Sequence, residues 1–153
     1  MKKLLVVAHT PSENTRKLLD AVLEGTRHPS ICDVTVKEVA PLHAIAQDVL
    51  DCDAIILGTT ENLGYMSGAL KDFFDRIYYP CLEEKQGLPF ALFVRAGHDG
   101  TGTCRAVDSI TTGLRWKAVQ PTVLCRGEWD DQFLEQCKQL GTTMAMSLDA
   151  GII

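Results

Sequence analysis

Three short apolar runs, 3–8 (KLLVVA), 53–58 (DAIILG) and 88–94 (LPFALFV), each precede a stretch with helical spacing, and this alternation constrains the fold more than any other feature. A short run without polar interruption suits a strand covered on both faces. Downstream of the first run, 14–24 sets Leu18, Leu19, Val22 and Leu23 on one side of a helix. Residues 32–39 alternate around Val34, Val36 and Val39, as in a strand nearer a sheet edge, and 43–50 reads as a short helix. Residues 67–78 carry Leu70, Phe73, Phe74 and Ile77 at i, i+3, i+4 and i+7. The opposite face pairs Lys71 with Asp75 and Asp72 with Arg76 at i,i+4 spacing. Residues 103–117 offer a stripe of Val107, Ile110 and Leu114, 119–125 a fifth strand and 131–148 a last helix.

Five strands each followed by a helix predict an α/β fold, a doubly wound five-stranded parallel sheet with helices on both faces. The common order for such a sheet is 2-1-3-4-5. Ligands then bind beyond the carboxyl ends of the strands where the order reverses, so the chemistry is expected just after the first, third and fourth strands. No repeat, low-complexity tract or Pro/Gly-rich linker divides the 153 residues, and one domain over 1–153 is expected.

Composition narrows the function classes. The basic residues are scattered and the net charge is -5, so nothing favours nucleic acid. The first apolar run stops at His9, too short for a leader, and no stretch reaches the ~20 apolar residues of a membrane span. A cytoplasmic location away from membranes is the expectation. Six cysteines include no CxxC pair, so no metal site is expected and they read as core thiols. Cys81 and Cys104, nearer the predicted loops, are the expected exceptions.

The first loop, 9–15 (HTPSENT), supplies Thr10, Ser12, Asn14 and Thr15 at a helix start, where backbone N–H groups and the helix dipole favour an anion such as a monophosphate. Simple capping is the alternative for residues of this type. Neither GxxxxGK[ST] nor GxGxxG follows the first strand, which argues against the triphosphate and dinucleotide cradles. The second loop, 59–68, sets Leu63, Tyr65 and Met66 among Gly64 and Gly68, a close apolar surface for a flat ligand or else an ordinary loop with Ser67 capping the next helix. The third, 95–103, crowds Gly97, Gly100 and Gly102 around His98 and Asp99, a path able to turn N–H groups toward a ring edge. His98 reads as a solvated residue rather than a base, and His9 as a plain cap neighbour.

These stretches, HTPSENT, TTENLGYMSGALKDFFDRIYYP and GHDGTG, resemble the three FMN loops of the flavodoxin-like NAD(P)H-dependent reductases, a group that includes the WrbA-type NAD(P)H:quinone oxidoreductases. The likeness runs from Lys3 to about Gly127. It implies a phosphate held by Thr10, Ser12, Glu13, Asn14 and Thr15. Thr60, Glu61, Asn62, Leu63 and Gly64 would pack along the isoalloxazine, and Gly97, His98, Asp99 and Gly100 would border its pyrimidine side. Glu13 stands where such phosphate loops usually carry Gly, a place suited to a carboxylate only if it points to solvent. Leu63 replaces an aromatic common in the group.

The resemblance implies bound FMN, NAD(P)H as electron donor, a quinone or similar small acceptor, and a homodimer or homotetramer. Flavin carries the redox chemistry, so no side chain is nominated as acid or base. With no room for a nicotinamide domain, donor and acceptor would use one flavin face in turn. Two alternatives stand beside this reading. One is a flavodoxin-type electron carrier, although 20 acidic against 15 basic residues is a mild excess for one. The other is a flavin-free binding or regulatory module on the same fold.

Overall fold

The computed structural model describes residues 1–153. Its elements run β1 (Lys2–Ala8), α1 (Glu13–Thr26), β2 (Val34–Val39), α2 (Ala46–Asp51), β3 (Ala54–Asn62), β4 (Tyr65–Met66), α3 (Gly68–Leu82), β5 (Pro89–Ala96), α4 (Thr101–Gly113), β6 (Lys117–Ala118), β7 (Val123–Arg126) and α5 (Gln132–Asp149). β2, β1, β3, β5 and β6 lie side by side in that order, all parallel. β7 continues the last position against the far half of β5. This is the expected 2-1-3-4-5 order with two amendments. The fifth strand is split into β6 and β7, with Pro121 and its missing N–H in the gap. The hairpin strand β4 lies outside the parallel path.

The apolar runs are continuous because alternate side chains serve opposite layers. Leu5, Val7, Ile55, Leu57, Leu92 and Val94 face one buried cluster with Leu70, Phe73, Phe74, Ile77 and Leu114. Leu4, Val6, Ala54, Ile56, Ala91 and Phe93 face the other, with Leu18, Val22, Leu140 and Met144. On that second face α1 and α5 cross backbone to backbone. A Cβ on Gly141 would run into the Val22 carbonyl, and one on Gly25 into the Lys138 carbonyl.

The two ion pairs expected on α3 are present, Lys71 to Asp75 at 2.6 Å and Arg76 to Asp72 at 2.7 Å. All six cysteines are free, and Cys52, Cys81, Cys125 and Cys137 are buried. Cys81 therefore belongs to the core rather than to a loop, whereas Cys32 is exposed. No helix is long and apolar enough to cross a membrane.

Candidate functional site

Strand register alone brings the three predicted segments together. Ala8 pairs with Gly58, and Thr59 and Thr60 pair with Val94 and Arg95, so the chain leaves β1, β3 and β5 at neighbouring points of one edge. The His9 N–H fastens the first segment to the second through the Gly58 carbonyl at 3.0 Å. Partial burial lowers the pKa of the His9 imidazole.

The first segment divides its polar groups between two tasks. Ser12 caps α1 in a reciprocal box: the Thr15 N–H donates to Ser12 Oγ at 3.2 Å and the Ser12 N–H to Thr15 Oγ1 at 3.0 Å. The Thr15 hydroxyl donates in turn to the Ser12 carbonyl at 3.0 Å, so the Ser12 hydroxyl is the donor in their 2.9 Å contact. Capping thus accounts for Ser12 and Thr15. It does not account for Thr10 and Asn14, whose side chains bond no protein group. The N–H groups of Thr10, Glu13 and Asn14 likewise meet no acceptor in the chain. Three N–H groups and two polar side chains at the positive end of a 14-residue helix suit a phosphate dianion. Glu13 is exposed at the first position of α1, where a carboxylate also complements the dipole.

The second segment differs from the expected loop. β3 continues through Thr60, Glu61 and Asn62, then reverses into β4 with Asn62 opposite Tyr65. Leu63 (φ 54°) and Gly64 (φ 75°) form the two-residue connection, and positive φ at both is the type I′ pattern. Leu63 is wholly exposed. The hairpin rests on α4, where the buried Thr103 hydroxyl donates to the Tyr65 carbonyl at 2.9 Å. A Cβ on Gly102 would strike the Gly64 carbonyl, so only glycine admits this approach. The Thr60 hydroxyl donates to Asn62 Oδ1 at 2.8 Å. Ser67 caps α3 through the Leu70 N–H at 3.1 Å, the simpler of its two sequence readings.

The third segment is fixed from both sides. Glu61 accepts the Gly100 N–H at 2.7 Å and the His98 N–H at 3.3 Å. Asp99 accepts the Thr101 N–H at 2.7 Å and the Thr101 hydroxyl; these donors, then Arg126 and Arg105, hold its carboxyl below the usual range. Gly97 faces open space, and the N–H groups of Gly97 and Asp99 have no acceptor in the chain. The His98 side chain is exposed and unbonded, as its solvated reading has it.

Sequence reasoning passed over Arg95. Its Nη1 donates to the carbonyls of Ala96 at 2.8 Å and Cys125 at 3.0 Å, tying β5 to β7 behind the third segment. The guanidinium also lies 5.2 Å from the Phe133 ring centroid and 5.9 Å from that of Trp129. A lone charge closing the apolar run FALFVR was its signal. The edge gathers unpaired N–H groups at the start of α1 and in the 97–100 turn, with the exposed Leu63 at the hairpin tip. This donor set fits a flat heteroaromatic ring with a phosphate tail.

Comparison with known proteins bears on the family and the fold. Residues 1–129 match the family model described as NADPH-dependent FMN reductase. A protein named flavodoxin from Aquifex aeolicus (strain VF5) is 34% identical over 114 residues, which cover 74% of this chain and 60% of the relative. Among solved structures, a flavodoxin from the domain Archaea superposes with a TM-score of 0.81 at 20% identity, covering 95% of this chain and 98% of the other. A WrbA-like protein from Agrobacterium tumefaciens gives 0.76 at 20% identity, covering 98% and 99%. These superpositions show a flavodoxin-like fold.

Proposed function

We propose, from the premise that the chain belongs to the NADPH-dependent FMN reductase family, that it is an FMN oxidoreductase that takes electrons from NAD(P)H and reduces quinones or similar small acceptors. The observation that carries this reading is the free donor set at α1, the N–H groups of Thr10, Glu13 and Asn14 with the Thr10 and Asn14 side chains. Those groups would hold the phosphate, with the Ser12–Thr15 box fixing the backbone that presents them. The isoalloxazine would lie between the hairpin of Thr60 to Gly64 and the Gly97 to Gly100 turn. Once bound, it supplies the hydride and single-electron chemistry.

The chain's own part is to bind, orient and shield. Leu63 offers an apolar surface, the free N–H groups of Gly97 and Asp99 offer donors to ring acceptors, and Arg95 holds the turn's base. No side chain here is assigned a proton. NAD(P)H and the acceptor would take the open side in turn, giving ping-pong kinetics, and homo-oligomeric assembly goes with this reading.

The relative named flavodoxin supports a second reading, an electron carrier with no NAD(P)H turnover of its own. Two measurements separate them. Titration with FMN, followed by quenching of flavin fluorescence, should reach one equivalent per chain; no binding would sink both. With FMN bound, steady NAD(P)H oxidation in the presence of a benzoquinone is expected, and its absence would leave the carrier.

A further inference from the structure

Glu61 lies at the end of β3, yet its carboxylate is bound to a different segment. Oε2 accepts the Gly100 N–H at 2.7 Å and Oε1 the His98 N–H at 3.3 Å. Both belong to the turn that the family resemblance sets along the pyrimidine side of the ring. We propose that Glu61 is a positioning residue of the cofactor site, a strap that sets the Gly97–Gly100 turn in its receiving shape; this rests on the FMN reading above.

Three observations support a strap over a side chain that must leave when the ring arrives. First, the donors divide cleanly: Glu61 takes those of His98 and Gly100, whereas those of Gly97 and Asp99 remain without an acceptor. Second, the turn has little freedom to present its groups otherwise. Gly100 sits at φ 72°, where a side chain would be strained, and an added Cβ would crowd the Leu124 side chain and Ala96 Cβ. Third, Glu61 is itself anchored. It pairs with Met66 in the hairpin, and the hairpin is seated on α4 through Thr103. One carboxylate therefore links the hairpin directly to the turn. It also places a fixed negative charge at the turn, where it disfavours electrons arriving on a neighbouring group.

The test compares wild type with E61Q and E61A. Gln keeps the shape and one acceptor oxygen without the charge, while Ala removes both acceptors. Losing hydrogen bonds to a charged group should raise the FMN dissociation constant on the order of tenfold in E61A, and E61Q should recover part of that loss. The reduction potential of bound flavin should move positive in E61Q, a change that a merely structural contact would not produce. In the flavin-free chain, the His98 and Gly100 amide protons should lose their protection from exchange in E61A. If E61A does not fold, the isosteric E61Q carries the comparison by affinity and potential. Equal affinity and an unmoved potential in the variants, with wild type binding FMN, would overturn the strap alone. Failure of wild type to bind FMN would overturn the cofactor reading as well.

Discussion

Ser12 and Asn14 lie two residues apart at the start of α1 and answer different demands. Ser12 closes a box with Thr15, satisfying N–H groups that any helix start leaves open. Asn14 closes nothing within the chain and faces outward beside three free N–H groups. Truncating each should therefore affect different measurements. Asn14→Ala is expected to weaken FMN binding about tenfold while leaving the denaturant midpoint nearly unchanged. Ser12→Ala is expected to cost about 1 kcal/mol of stability through the lost cap. Flavin titration and urea unfolding of both variants check this, and a drop in stability in Asn14→Ala would contradict the division. The sequence displayed four polar residues here without showing which two were the cap. That choice depends on Thr15 falling three positions after Ser12, once the helix start is fixed at Glu13.

At the scale of elements, the long apolar runs were easily read because continuous hydrophobicity has few other uses in a strand. The β3–β4 hairpin was not. Its turn lacks the Asn-Gly or Asp-Gly pair that announces type I′ geometry and puts Leu63 in a left-handed conformation instead. A branched, wholly exposed side chain at φ 54° is strained and gains no packing in return. Local stability does not explain such a residue; under the proposed FMN reading it is an apolar surface for the ring. Leu63→Asn should therefore stabilise the free protein by about 1 kcal/mol, since Asn tolerates the left-handed region. The same change should weaken FMN binding several-fold by removing the apolar tip. Thermal melting without flavin and titration with it should move in opposite directions. A variant that melts lower, or binds FMN as tightly as wild type, would remove Leu63 from the site.

For the whole molecule, strand–helix alternation implies a parallel sheet, and 2-1-3-4-5 is only the common order for one; the observed order puts the candidate segments at one edge. What stayed hidden were contacts made only after the edge is assembled. Glu61 to Gly100 spans 39 residues and Arg95 to Cys125 spans 30, distances over which no local pattern in the chain records a pairing. Both contacts, and the α1 nest, belong to segments held by different strands. A ligand touching all three should therefore stabilise the sheet as a unit rather than order one loop. Binding to the folded state alone, at a hundredfold excess over the dissociation constant, contributes about 2.7 kcal/mol. For a chain of this length that corresponds to a rise in Tm of roughly 5–10 °C. Riboflavin, which has the ring but no phosphate, should give a much smaller rise at equal concentration, because the α1 nest would stay empty. Asn14→Ala should bring the FMN shift toward the riboflavin value. Calorimetry of wild type and this variant with each ligand provides the comparison, and equal shifts for FMN and riboflavin in wild type would show that α1 does not hold the phosphate.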